Sequence, residues 1–123
     1  MQNSFKILLL SFIMLSTLAS CGSDEDECDA TNIENAIVGK WVYPLTSETV
    51  EFKADGKLVD PQNSTINGTE TAEKSWQVNR DGNVEVKSTT GSSSNETIIL
   101  ISSFTCDEIN TVHYGFPRTM ERD

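Results

Sequence analysis

The 123-residue sequence predicts an all-β domain, a small antiparallel up-and-down barrel of about seven or eight strands entered through a short helix. Three observations carry that expectation. From Gly39 onward apolar residues recur with a period of two, the signature of strands with one buried face. Asp55-Gly56, Asn67-Gly68 and Asp81-Gly82 punctuate the pattern with dipeptides that mark turns, Asp55-Gly56 as a hairpin signal. No α-helix long enough for a βαβ unit is legible, which argues against a parallel sheet.

Residues 1–20 stand apart from that domain. Lys6 supplies a positive charge, Ile7 to Leu18 is an apolar run of about 12 residues, and Ala19-Ser20 closes it with small side chains. This is the layout of a secretory signal peptide. As a helix the run would rise only about 18 Å, against about 30 Å of hydrocarbon in a bilayer. Residues 21–31 hold a polar, acidic stretch, Cys21-Gly22-Ser23-Asp24-Glu25-Asp26-Glu27-Cys28-Asp29, with no apolar period. It reads as a self-repelling flexible tether. Its acidic positions are consecutive, not alternate as a calcium loop requires. The domain proper occupies 32–123.

Within the domain, Thr31 to Val38 reads as the short helix. Thr31 or Asn32 caps it, Glu34 sits in the first turn, Ile33, Ala36 and Ile37 share a face, and Gly39 stops it. Trp41, Tyr43 and Leu45 then alternate with Lys40, Val42 and Pro44. Val50, Phe52 and Ala54 oppose Glu51, Lys53 and Asp55 before the turn into Lys57-Leu58-Val59. Pro61 to Gly68 reads as a polar loop. Trp76 and Val78 alternate inside Thr69 to Asn79, and Asp81-Gly82 leads to Val84-Glu85-Val86-Lys87. Thr89 to Asn95 reads as a Ser/Gly loop, and Glu96 to Phe104, with Ile98-Ile99-Leu100-Ile101, as the most apolar strand. Ile109 to Tyr114 and Arg118 to Arg122 complete the set. Closure into a barrel removes the exposed edges that an open sheet would leave.

The charge narrows the partners. The precursor carries a formal charge of −10, and loss of residues 1–20 with Lys6 makes it −11. Such a surface repels phosphates and anionic headgroups, so nucleic acid is excluded as the default partner. Catalytic constellations are thin. His113 is the only histidine, with no Gly-x-Ser-x-Gly elbow to pair with it, and it reads as a surface or hydrogen-bonded strand residue. Glu51 and Glu85 fall on the polar faces of their strands and read as solvated. Asn63-Ser64-Thr65, Asn67-Gly68-Thr69 and Asn95-Glu96-Thr97 fit the glycosylation pattern but read as turn chemistry. No catalytic, metal or cofactor-binding set is assigned, and a non-catalytic monomer is expected.

Two resemblances add to this reading. Leu18-Ala19-Ser20-Cys21 resembles the lipobox of bacterial lipoproteins, which implies cleavage between Ser20 and Cys21 and lipidation of the Cys21 thiol. Two or more acyl chains hold a protein stably to a membrane where one does not. The acidic residues that follow resemble the export signal of Bacteroidetes-type lipoproteins, which implies the external face of the outer membrane. With Cys21 lipidated, Cys28 and Cys106 remain as an even pair in an exported chain and read as a disulfide, the alternative being two buried thiols. The bond would close a loop of roughly eighty residues, a contribution of about 4 kcal/mol in the chain-entropy treatment. Zinc is poorly served by one histidine and distant cysteines.

The domain resembles the small lipocalin-like domain of Bacteroidetes lipoproteins. The residues that carry this are the short helix, Gly39-Lys40-Trp41, Glu51-Phe52-Lys53-Ala54-Asp55-Gly56, Ser75-Trp76-Gln77-Val78, Asp81-Gly82 and a terminal arginine, Arg118 or Arg122. The resemblance implies that Trp41 closes one end of the barrel with that arginine stacked near it, a structural role shared with Gly39. The threonine-aspartate-tyrosine motif and the C-terminal helix of larger lipocalins are absent. Two functions follow as expectations. In one, Phe52, Trp76, Val84, Val86, Ile99 and Ile101 line a cavity for a small apolar or amphipathic ligand. In the other the core is filled, and the outer face or loops dock a protein or glycan. Replacing Cys21→Ser should release the protein from the membrane fraction or leave it unprocessed, read by fractionation and carbonate washing; unchanged membrane retention would refute the lipobox.

Overall fold

The computed structural model describes residues 28–123; the expected signal peptide, the expected Ser20–Cys21 cleavage site and the stretch read as tether as far as residue 27 lie outside them. Helix α1 (Ile33–Ala36) is a single turn. The Asn32 side chain accepts a hydrogen bond from the Glu34 amide at 3.0 Å and so satisfies a donor that the helix leaves free. Ile33, Ala36 and Ile37 are buried. The helix is shorter than the sequence suggests because the chain already turns into the sheet at Gly39, whose φ of 128° is closed to side-chain-bearing residues.

Eight strands follow: β1 (Gly39–Tyr43), β2 (Glu48–Phe52), β3 (Leu58–Val59), β4 (Glu73–Val78), β5 (Val84–Thr90), β6 (Ser93–Phe104), β7 (Glu108–His113) and β8 (Phe116–Arg122). Their order, β3-β2-β1-β8-β7-β6-β5-β4, makes an antiparallel meander rolled into a nearly closed barrel, the predicted class. Alternation places Trp41, Tyr43, Val50, Phe52, Val84, Val86, Ile99, Ile109 and Met120 inside, in one continuous cluster with Ile33 and Ile37. Full burial of a side chain of this kind contributes about 1.5–3 kcal/mol.

The barrel has two weak seams. β1 and β8 pair only through Trp41↔Arg122 and Val42↔Glu121. β3 and β4 meet through an isolated Lys57↔Ser75 bridge, helped by the Trp76 amide donating to the Gly56 carbonyl at 2.9 Å and the Trp76 indole donating to the Lys53 carbonyl at 2.9 Å.

A knot of side chains covers the first seam. The Arg122 guanidinium donates to the carbonyls of Ala36 (2.8 Å), Val38 (2.8 Å) and Cys106 (2.8 and 3.0 Å). Its carbon sits 4.0 Å from the centre of the Trp41 ring, whose indole donates to the Ile37 carbonyl at 2.7 Å. Cys106 in turn is bonded to Cys28, with Cα atoms 5.7 Å apart. A Cβ on Gly39 would collide with Arg122 Nη1, a second reason for glycine there. Of the two arginines that the resemblance offered, Arg122 takes this role and Arg118 does not. They lie four residues apart on one face of β8, about 13 Å along the strand, so only one reaches Trp41. Arg118 lies instead over the Tyr43 ring, 3.8 Å from its centre.

Other departures have local causes. Thr89 to Asn95 is not a loop: β5 and β6 run on to the tight turn at Gly91, pairing Thr89↔Ser94 and Thr90↔Ser93. Backbone ladders need no apolar side chains where a hairpin projects beyond the core. Leu45 is 98% exposed, because the amides of Thr46 and Ser47 fold back on the Tyr43 carbonyl and end β1 there. Ile98 and Leu100 face outward on β6, while Ile99 between them is buried. The stretch read as tether is fastened from Cys28 onward, with the Asp29 carboxylate accepting from the Thr31 amide and hydroxyl.

Arg122→Lys keeps the charge but loses the planar fork that reaches separate carbonyls. It should lower stability by about 2–3 kcal/mol in urea denaturation. Wild-type stability in this variant would show that the knot is dispensable.

Candidate functional site

The antiparallel path gives the barrel two distinct ends. α1, Cys28 and the turns 53–57, 79–83 and 105–107 share the end covered by Arg122. Turns 44–47, 91–92 and 114–115 and the long connection 60–72 gather at the other, the far end.

The far end is stoppered from within. Composition made Pro61 to Gly68 a polar loop, yet Ser64, Thr65 and Ile66 are buried, and Ile66 packs into the main core cluster. The Asp60 carboxylate makes this inward fold possible. It accepts from the Ser64 amide (2.8 Å) and hydroxyl (2.7 Å), the Thr65 amide (3.0 Å) and hydroxyl (2.6 Å) and the Ile66 amide (3.1 Å). Donors that water would otherwise serve are thereby satisfied inside the protein. Lys74 Nζ from β4 adds an ion pair to Asp60 at 3.3 Å and donates to the Asp60 carbonyl and the Asn63 side chain, each at 2.7 Å. From the opposite wall Arg118 donates to the Ser64 carbonyl at 2.5 Å and pairs with Glu48 at 3.6 Å.

These contacts set the titration of the groups nearby. Burial pushes the Asp60 pKa up, but the Thr65 and Ser64 hydroxyls and the backbone amides outweigh it, and the carboxyl is held below its ordinary value. Burial, opposed by Arg118, raises the Tyr43 phenol to about 12. His113, read from sequence as a surface or hydrogen-bonded residue, is 4% exposed and stacks on Tyr114 with ring centres 4.2 Å apart. Its Nε2 has no hydrogen-bond partner. Burial and then the Arg118 charge hold its pKa below the usual histidine range, with Asp60 pulling weakly the other way. An even position on a strand with one buried face is all that marks it in the sequence.

The residues proposed to line a cavity occupy the centre of the core. Phe52 and Trp76 meet edge to face, 5.6 Å between ring centres, and Val84, Val86 and Ile99 belong to the same cluster as Trp41 and Ile66; Ile101 packs at its margin. Surface hollows lie elsewhere. A groove of about 470 Å³ crosses the outer face of β4, β5 and β6, where Gln77 donates to Glu85 at 2.7 Å and Lys87 faces Glu96 at 3.6 Å. A cleft of about 500 Å³ runs between the 44–47 turn and β8. A third hollow, about 570 Å³, opens at the far end between the inserted loop and the β5–β6 hairpin. Among the described residues no group of three or more His, Cys, Asp and Glu is placed to hold a metal, and no helix is long and apolar enough to cross a membrane. Comparison with known proteins finds no matching family, no matching curated protein and no matching solved structure.

A carboxyl with a depressed folded-state pKa stabilises the fold fully above its unfolded value of about 4, and that contribution is lost as pH falls through the folded value. A buried neutral histidine works in the same direction, losing its contribution as pH falls below about 6.5. Asp60→Asn should therefore cost about 3 kcal/mol at neutral pH, with the gap to wild type narrowing in acid below about pH 4. Urea denaturation across pH reads both quantities, and a gap independent of pH would contradict the assigned role.

Proposed function

We propose that this chain is a lipid-anchored protein on the external face of a bacterial outer membrane, non-catalytic, whose solid barrel presents its far end to a partner molecule. The anchor rests on Leu18-Ala19-Ser20-Cys21 and the acidic residues behind it. One observation carries the rest: the interior is occupied. Phe52, Trp76, Val84, Val86 and Ile99 pack with Trp41, Ile109 and Met120, and Ile66 of the inserted loop completes the cluster. A carrier of small apolar ligands needs a hollow of roughly 300–1,000 Å³ lined by such side chains. Here those side chains are spent on one another, which favours recognition at the surface.

Carriage of an apolar ligand is the second reading, and one feature supports it. The stopper hangs on polar contacts around Asp60 and Lys74, not on strand pairing. Its withdrawal would free the volume of Thr65 and Ile66 inside the barrel. Fluorescence titration with apolar probes separates the two, because Trp76 belongs to the core cluster that Ile66 joins. The docking reading expects no saturable change in Trp76 emission. A saturable response at low stoichiometry, lost in Trp76→Phe, would replace it with the carrier.

A further inference from the structure

We infer that the hollow between the inserted loop and the β5–β6 hairpin is a binding pocket for a neutral saccharide. Its volume is about 570 Å³, within the range of small-molecule sites. Asn63, Asn67 and Thr69 form one wall, and Thr90, Ser93 and Asn95 the other. Although the chain carries a net charge of −10, no lining side chain is ionised and none is a hydrocarbon. An anion finds no exposed cation there, because Lys74 behind Asn63 is buried and engaged with Asp60 and Asn63; a cation finds no carboxylate, and an acyl chain no apolar wall. Amides and hydroxyls each offer donors and acceptors together, which is what adjacent sugar hydroxyls require.

The pocket is built before any ligand arrives. Asn63 holds a left-handed backbone (φ 54°), unusual for a residue with a Cβ, and Lys74 fixes its side chain at 2.7 Å. Gly68 lets the loop settle on β5: a Cβ there would fall 2.5 Å from the Ser88 hydroxyl and 2.9 Å from the Ala72 Cβ. The hydroxyls of Thr69 and Thr90, 3.2 Å apart, tie the two walls together. Fixed walls reduce the ordering cost of binding. The mouth also opens at the end opposite Cys28, where the tether enters. This inference rests on the docking reading above and names the chemistry of the docked partner.

The test is saturation-transfer NMR on the full chain in a sugar-free detergent, with xylotriose, maltotriose and triacetylchitotriose as neutral probes and sialyllactose as the acidic comparator. At least one neutral trisaccharide should receive saturation. Asn67→Ala/Asn95→Ala should weaken it at least about tenfold, since both side chains are exposed and lie outside the Asp60 network. Gln77→Ala, on the outer face of β4, should leave binding unchanged. Transfer to none of the neutral probes, transfer indifferent to the double variant, or transfer to sialyllactose alone would each overturn the inference. Failure of the docking reading is seen separately, in the apolar-probe titration.

Discussion

A meander rolled into a barrel must join its first strands to its last, and in this protein backbone pairing alone barely does so. β1 meets β8 through Trp41↔Arg122 and Val42↔Glu121. The Arg122 side chain makes up for the short ladder. A single planar cation takes up the carbonyls of Ala36, Val38 and Cys106, groups that two chain segments, the helix-to-β1 junction and the β6–β7 turn, leave without strand partners. Trp41 beneath it adds a cation–π contact of about 0.5–2 kcal/mol and fixes α1 through its indole. Helix, first strand, last strand and the β6–β7 turn are thereby held by one residue, and the Cys28–Cys106 bond fastens the incoming chain to the same point.

The other seam is closed by different means. β3 has only two residues, too few for a ladder with β4. Near the covered end, Trp76 bridges the gap to the Gly56 and Lys53 carbonyls. Toward the far end, Lys74 reaches across to Asp60, and the loop that Asp60 organises folds into the opening. A short strand therefore leaves space that a loop fills. The same loop that completes the wall stoppers the barrel, so closure of the seam and occupation of the interior are one event. Arg118 links this stopper to the opposite wall, placing an arginine at each end of β8 with a different task.

The sequence made most of the frame legible. Asp55-Gly56 and Asp81-Gly82 turn where their glycines take φ of 89° and 78°, and period-two alternation identified Trp41, Phe52, Trp76, Val84, Val86 and Ile99 as inward. What stayed hidden was polar and buried. Ser64 and Thr65 look like surface residues, because only the folded loop brings their donors to one carboxylate. Ser93 to Asn95 look like a loop because a projecting strand is held by its ladder and lacks the alternation that burial imposes. Of the candidate pocket, its asparagines and threonines were visible as turn chemistry. Their convergence depends on Gly68 resting on β5, which composition does not encode.

Alternation also explains why the filled core and the polar pocket belong together. An eight-stranded barrel has an interior that side chains alone can fill or that can hold one small ligand. Here most of the aromatic and branched residues sit toward the Arg122 end, Tyr43 alone of the core aromatics reaching the other, and Ile66 closes their cluster from above. Beyond Ile66 the inward positions of β5 and β6 change to Ser88, Thr90, Ser93 and Asn95. Apolar burial therefore stops at the stopper, and the strands continue past it as a wall of amides and hydroxyls. Such a wall gains little by collapsing, since its groups are already hydrated, so the space stays open to solvent. The end at Cys28 is packed with apolar side chains; the end away from it is lined by amides and hydroxyls. That difference between the two ends follows from where the hydrophobic alternation gives out.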